Sequence, residues 1–542
     1  MVDSLDIRWH SVAYLVLLSA FAHKVGGGAM KARSRVVVVG AGVGGLTTAG
    51  LLAQAGYDVT VLEAQTYPGG SASTFFHKGY RFESGATVAG GFQENGPHAV
   101  LGAMLDIDWP VHLHDPAWVV HLPDRSVALT QDNADVLEKF PHTERFWDEQ
   151  SKIADIAWSL SAQGLPWPPR DLAELWQLAT VGVLNLPRDL QVLPFALSTV
   201  ADWLKRHGLQ DDQAFRRFID ATLLISAQNT SEVVNGVYGA TAMDLARQGV
   251  YHVEGGIGGI AETLVDKVRE LGGRVLYRQH VQRIEVQNGQ AIGVHATRGR
   301  RHPETTFFPA DFVVVNNTPW SLDQMLGEDS PRSLQRELQR RDNTQGAFVL
   351  HLGVDASQLP QGIADHHQIV NSYEGVMGEA ETLYVSMSPA WDTSRAPDGK
   401  RAVTVSTHTQ VQQWWDMLAE DEQAYYDCKQ VYAERMIEGI DRVLPGFKNA
   451  VELVLPGSPV TYEFYTMRHK GMVGGFPQSS LLRARGPRTG IANIRLVGDS
   501  VFPGQSTAGV TLGGIRVAKD VMRHLPTQRT RYTLKMKGQS AE

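Results

Sequence analysis

The sequence predicts an α/β fold: a parallel-sheet domain assembled from separated pieces of chain, with a mixed α+β domain inserted between them. Three observations predict it. Residues 35–63, RVVVVGAGVGGLTTAGLLAQAGYDVTVLE, read as strand, glycine turn, helix and second strand. Residues 250–316 repeat that alternation and add further strands. Residues 494–525 return to it with a short strand, Gly-Asp-Ser and a helix. Strands alternating with helices in this way build a parallel sheet covered by helices.

The first unit carries the strongest signal. Val36 to Val39 is a β-branched run suited to a strand buried on both faces. Gly40, Gly42 and Gly45 follow in a G-x-G-x-x-G pattern that also takes in Val43 and Gly44. The spacing then predicts a helix over Leu46–Ala55, closed by Gly56, and a strand over Asp58–Leu62 that ends at Glu63. Each element has a job in dinucleotide binding. Gly40 permits the tight turn, Gly42 lets a pyrophosphate approach the backbone, and Gly45 allows close helix–strand packing. The helix N-terminus offers free N–H groups to phosphate. Glu63 can accept from both ribose hydroxyls and would repel a 2′-phosphate, which favours FAD or NAD. Strand, helix, second strand and acid all in place separate this motif from an ordinary glycine turn. The unit is therefore read as Rossmann-like.

The next stretch, residues 64–92, keeps to the cofactor. Ala64 follows the acid, and Pro68-Gly69-Gly70 is a turn signal. Gly69, Gly70 and Ser71 bring backbone amides and a hydroxyl toward the ligand. Phe75-Phe76 and Tyr80-Arg81-Phe82 flank Lys78-Gly79 as a hairpin. The first piece of the FAD-binding domain is placed at residues 35–105.

Bulk properties bound the alternatives. A chain of 542 residues exceeds the usual size of one core, so two or more lobes are expected. A net charge of −8, from 50 bases and 58 acids, argues against nucleic acid as a partner. Cys428 is the only cysteine, which rules out an intramolecular disulfide and a cysteine-based metal site, and fits a reducing compartment. At the N-terminus, Ser11 to Ala22 is an apolar run too short to span a bilayer as a helix. The region before it lacks the basic character of a signal peptide. Residues 1–34 are expected to form an extension, with residues 1–29 either dispensable or a misplaced start ahead of Met30; a weak membrane anchor is the alternative.

Residues 106–249 change character, and seven of the 12 tryptophans fall between Trp109 and Trp203. This lobe reads either as helices with an apolar face for a lipid-like substrate or a bilayer surface, or as core helices of a second lobe. Residues 250–335 return to the cofactor lobe. Gly256, Gly258 and Ala261 satisfy G-x-G-x-x-A, but no acid ends the next strand at the required distance, so this is read as a decoy. The backbone of Val281 is the candidate for an adenine edge, and Ala310–Asn316 is another buried strand.

Residues 336–475 form the second piece of the inserted lobe, with strands over Gly346–Val354, Thr382–Ser388 and Thr404–Thr409 and a long helix over Ala419–Leu444. His366-His367 has no partner at metal-ligand spacing, so a structural role is read in preference to a metal site. In the third cofactor piece, residues 476–525, Gly498 and Asp499 follow the strand Ile494–Val497. Asp499 is a candidate acceptor for a ribitol hydroxyl. Pro503-Gly504 turns the chain, and Gly509-Val510 begins a helix. A helix N-terminus aimed at the pyrimidine edge of a flavin would stabilise the anionic reduced form. Residues 526–542 are basic and expected to be disordered. No Ser/His/Asp or paired-carboxylate arrangement is legible, so no catalytic residue is assigned.

Four segments together resemble the phytoene desaturase family, the FAD-dependent carotenoid desaturases and isomerases: EAQTYPGGSAST, YHVEGGIGGIAETL, PVTYEFYTMRHKGMVGG and GDSVFPGQSTAGVTLGGIRVA. The likeness runs from about residue 35 to 525. It implies a flavin amine oxidase-like fold in which Gly40, Gly42, Gly45, Glu63, Gly70, Ser71, Val281 and Asp499 bind FAD, with Gly509-Val510 under the flavin ring. It implies an oxidoreductase acting on a lipophilic carotenoid polyene, by desaturation or by reduced-flavin isomerisation. A cytoplasmic enzyme associated peripherally with membrane is expected; the electron acceptor stays open. Departures are Ser71 where many flavoproteins have arginine, Glu83-Ser84-Gly85 in place of Asp-x-Gly, and Ser506 or Thr507 where a glycine is common. The rival readings are an amine or protoporphyrinogen oxidase on the same fold, and a non-catalytic isoprenoid carrier.

Overall fold

The computed structural model describes residues 33–525, apart from 164–165, 170, 185–187, 300–301 and 342–344. The expectations for residues 1–29 and for the basic tail lie outside the described residues.

The valine run forms the middle of a five-stranded parallel sheet, in the order Ile494–Leu496, Phe312–Val315, Arg35–Val39, Asp58–Leu62, Arg274–Leu276. Val37 pairs with Val313 on one side and Thr60 on the other. Val36 and Val38 pack against the helices Val43–Gln54, Gly259–Glu270 and Thr507–His524. Val37 and Val39 face the opposite way, against the hairpin strands His280–Gln287 and Gln290–Arg298 and the helix Pro319–Leu326. A strand covered on both faces needs an unbroken apolar run, which is what Val36–Val39 supplies. Burial of each such side chain contributes about 1.5–3 kcal/mol. Three distant stretches of sequence thus meet in one sheet.

Element ends differ from the sequence reading where side-chain or backbone capping intervenes. The first helix begins at Val43 rather than Leu46, because the Leu46 amide already bonds to the Gly42 carbonyl at 2.9 Å. The glycine loop is therefore the helix's first turn. The strand before the acid ends at Leu62, leaving Glu63 just outside it. The closing helix begins at Thr507, two residues before the predicted Gly509, because Ser506 caps it by accepting from the Gly509 amide at 3.0 Å. The long helix predicted over Ala419–Leu444 is Glu422–Val443, and a separate helix, Val411–Glu420, precedes it. Asp421 sits between them in extended conformation, and its carboxylate caps the second by accepting from the Gln423 and Ala424 amides.

The second sheet has seven strands in the order Val451–Gly457, Gln345–Asp355, Lys400–Gln410, Thr382–Met387, His366–Val370, Trp118–His121, Ser126–Leu129. Only the pairing of His366–Val370 with Trp118–His121 is parallel. One face packs Leu350, Leu352, Leu383, Val385, Val403 and Val405 against the helices Val411–Glu420 and Glu422–Val443. The other face turns toward the first sheet.

The tryptophan-rich stretch is divided between buried and exposed positions. Trp118, Trp147 and Trp203 are buried in one core with Phe146, Phe195, Phe215 and Phe218. On the helix Leu172–Leu184, by contrast, Leu172 is 83% and Trp176 76% exposed. Leu175, Leu193 and Leu197 nearby in sequence are also exposed. Among the described residues no helix is long and apolar enough to cross a membrane.

Candidate active site

A cavity of about 1280 Å³ is bordered by the carboxyl ends of the parallel strands, by the closing helix and by the second sheet. Ligands of open parallel sheets bind at such carboxyl ends. The glycine loop forms one wall. Gly40 has a φ of +92°, which lets the chain turn out of its strand directly into the helix. A side chain on Gly42 would run into the amide of Asn316, so bare backbone faces the cavity here. The second glycine turn leans on the first, through the Gly69 amide donating to the Ala41 carbonyl at 2.8 Å.

Glu63 closes this wall. Its Oε2 accepts from the Ala41 amide and its Oε1 from the Gln65 amide, each at 2.8 Å. Burial pushes the carboxyl up from its ordinary value, and those amides oppose the shift. Further acceptor capacity remains on both oxygens. The Gln279 amide bonds to the Glu63 carbonyl at 2.8 Å, which brings the strand carrying Val281 alongside.

At the other end, Asp499 pairs with Arg468 at 2.8 Å. Arg468 is fixed in turn, donating from Nε to the Met472 carbonyl and from Nη2 to the Gly474 carbonyl. The neighbouring carboxylate of Asp499 raises the guanidinium's pKa against the cost of its burial. The first turn of the closing helix borders the cavity at Gly509 and Val510. Behind it lies His98, whose ring nitrogens sit 3.2 Å from Thr507 Oγ1 and 3.4 Å from Thr511 Oγ1. Burial lowers His98 to about 3, so the ring is neutral.

Of the predicted cofactor residues, Gly40, Gly42, Val43, Gly44, Glu63, Ala64, Gly69, Gly70, Ser71, Val281, Gly498, Asp499, Gly509 and Val510 border this one cavity. Gly45 and Gly504 do not. Gly45 instead lets the first helix close on its strand, since a side chain there would meet the Gly40 carbonyl and Asn316. Gly504, with a φ of +86°, lies directly behind Gly509. Gly256 packs on Thr74 and Arg395 and Gly258 on Thr74, and neither borders the cavity. Glu83, which replaces the usual aspartate, is buried in a 3.0 Å ion pair with Arg395. His366 and His367 meet His114 and His121 respectively, at 3.1 and 3.0 Å.

Asn316, Arg468 and His98 also belong to the site and were not assigned from the sequence, while Ser506, noted there only as a departure from glycine, caps the closing helix. Asn316 was findable: it is a polar residue at the end of a buried strand, where a parallel sheet binds ligands. Arg468 stood inside a recognised segment with no signal marking it out. His98 had none.

The residues fit a dinucleotide. A side-chain-free cradle, a buried carboxylate with spare acceptor capacity and a capped helix start share one cavity. Fold and site together define an FAD-dependent oxidoreductase. Residues 43–522 match the family described as flavin containing amine oxidoreductase, and the chain belongs to that family. Among its relatives, prolycopene isomerase from Daucus carota is 27% identical over 90% of this chain and 80% of its own. The neurosporene-forming phytoene desaturase of Cereibacter sphaeroides is 24% identical over 91% of this chain and 96% of its own. An oxidoreductase from Methanosarcina mazei shares the fold, with a TM-score of 0.60 at 18% identity over 90% of this chain and 100% of its own. The reading as a non-catalytic carrier gives way to an enzyme.

Proposed function

We propose that this chain acts on a carotenoid polyene, by desaturating it or by isomerising one of its double bonds. The observation that carries the reading is the lining of the cavity. The cavity that takes in the glycine loop and the closing helix is also lined by Leu224, Ile225, Trp158, Trp167 and Leu178. Leu178 belongs to the same helix whose Leu172 and Trp176 stand exposed. An apolar cavity lined by a helix that also carries an exposed apolar surface suits a substrate that partitions into lipid. The same exposed apolar surface supports peripheral docking on a membrane as part of this reading.

In this reading Glu63 holds the adenosine ribose, and the bare backbone of Gly40, Gly42 and Gly44 takes the pyrophosphate with the first helix's N-terminus. The amides of Ala64, Gly69 and Gly70 and the hydroxyl of Ser71 flank it, and Val281 meets the adenine edge. Asp499, held by Arg468, would offer an acceptor to a ribityl hydroxyl beside Gly498. Bound FAD supplies the exchange of a hydride or an electron pair with the polyene. The N-terminus of the closing helix, at Gly509 and Val510, would offer its positive end to the flavin and favour the negative charge of the reduced form, and Gly504 supports the turn. Because His98 is neutral, the stabilisation there is dipolar. The greasy walls exclude water from the reacting bond.

The test is anaerobic incubation of the purified flavoprotein with acyclic cis and saturated-end carotenes, with and without a flavin reductant. Products are then resolved by chromatography and mass. Loss of two hydrogens per event identifies a desaturase; unchanged mass with an altered spectrum, only after reduction, identifies an isomerase. Retained FAD with no change in any carotene would defeat the proposal.

A further inference from the structure

In the helix Arg332–Arg340 an arginine recurs at every fourth position: Arg332, Arg336 and Arg340. With about 3.6 residues per turn, the three share one side of the helix. Leu334 and Leu338 take the other side and pack into the core beneath. All three arginines are exposed. Among the described residues no side chain pairs with any of them. Glu337, the one acid of this helix, is already held by Arg485 at 3.2 Å and Arg341 at 3.5 Å. Like charges four residues apart on a helix repel. A row of them without counter-charge, on a chain of net charge −8, points to an anionic partner.

The ground beside this row is apolar. Arg341, which follows the helix, donates to the Arg483 carbonyl at 2.6 Å and so brings in the turn Leu481–Arg483. On that turn Leu482 is 71% exposed, and Arg483 is exposed as well. Trp167 reaches the same turn, its Nε1 donating to the Leu481 carbonyl at 2.9 Å. Close by in sequence, Arg488 pairs with Asp171 at 3.7 Å. Asp171 adjoins the helix whose Leu172 and Trp176 stand exposed. The turn thus joins the arginine row to the exposed apolar helix. A soluble polyanion would match the arginines and leave Leu172, Trp176 and Leu482 in water. An anionic bilayer matches both, since guanidinium groups bond phosphate in forks and apolar side chains enter the interface.

We propose that Arg332, Arg336 and Arg340 form a headgroup-binding row, so that the protein docks on anionic phospholipid in preference to neutral phospholipid. This rests on the membrane docking in the reading above and names the partner's chemistry.

The test floats the FAD-loaded protein at low salt with two kinds of vesicle: phosphatidylcholine alone, and phosphatidylcholine mixed with phosphatidylglycerol. The mixed vesicles should bind the wild type at least about tenfold more tightly, since each arginine near an anionic surface is worth about fivefold. The triple variant Arg332→Gln, Arg336→Gln, Arg340→Gln should lose at least about tenfold on the mixed vesicles and little on the neutral ones, with FAD content unchanged. A control of equal charge, Lys78→Gln, Arg269→Gln, Lys448→Gln, alters three exposed cations on other elements and should keep the preference. Equal binding of the wild type to both vesicles overturns the proposal and leaves docking through the apolar helix standing. So does a triple variant that binds the mixed vesicles as the control does. Wild type that floats with neither vesicle overturns both, and its retention on heparin would then assign the row to a soluble polyanion. Should the triple variant lose its flavin, the wild-type preference and Arg336→Gln alone, expected to fall about fivefold, still decide.

Discussion

The Ala41 amide donates to Glu63 Oε2 at 2.8 Å, tying the glycine loop to the acid that follows the second strand. The Gln65 amide holds the other oxygen at the same distance. The carboxylate is thus positioned by its own surroundings before any ligand arrives. Glu63→Ala removes a charged acceptor, which costs about 1.5–3 kcal/mol of FAD binding, or roughly tenfold or more in affinity. Glu63→Gln keeps one acceptor oxygen and should lose less. Flavin absorbance per protein after desalting reads both; equal FAD content in Glu63→Ala would remove the ribose role.

Glycines in the same fold should respond in opposite directions. At Gly45 a methyl group would stand 2.6 Å from the Gly40 carbonyl oxygen and 2.9 Å from Asn316 Cβ. Gly45→Ala should therefore cost about 1–3 kcal/mol of stability and loosen the cofactor. At Gly513, in the closing helix, a methyl group meets nothing within 4 Å. Gly513→Ala should stabilise by up to about 1 kcal/mol. Thermal melts of the two variants check this, and the same sign in both would contradict the packing described.

His98 makes stability depend on pH. Its folded value, about 3, lies below the ordinary 6.5, so between those limits the unfolded chain binds a proton that the folded one refuses. The contribution is complete above 6.5 and is lost as pH falls toward 3, at no more than about 1.4 kcal/mol per pH unit. His98→Gln abolishes this term. Comparing melts at neutral pH and near pH 5, the variant should lose less stability than the wild type. An identical acid loss in both proteins would show that His98 does not titrate as the fold requires.

The regions of the fold legible in the sequence were those where one local pattern had one structural meaning. Val36–Val39 could only be a strand covered on both sides, and both sides are covered. The decoy at Gly256–Ala261 was recognisable because its acid was missing, and those glycines pack on Thr74 and Arg395. What local pattern could not supply was pairing across the chain. Nothing near Asp499 announces Arg468, nor does anything near His366 announce His114. The start of the long helix was misjudged by three residues because the Asp421 carboxylate caps it at Glu422. A polar row, Gln368–Tyr384–Ser406, exists only once three strands are in register.

Membrane docking can be tested at the exposed helix. Leu172→Asp together with Trp176→Asp alters two side chains that are 83% and 76% exposed, so the fold and FAD content should be untouched. Flotation with anionic vesicles should fall at least about tenfold, since each apolar side chain buried in the interface contributes a kcal/mol or more. Wild-type protein that stays at the bottom of the gradient would refute docking.

Three distant segments together form one cavity sized and lined for a single flavin. The most direct measurement is the flavin-to-protein ratio of purified chain incubated with FAD and then desalted, taken alongside a melting curve. One FAD per chain, with the flavin's visible bands retained, is the predicted result. A cooperatively melting protein that keeps no flavin would contradict the account.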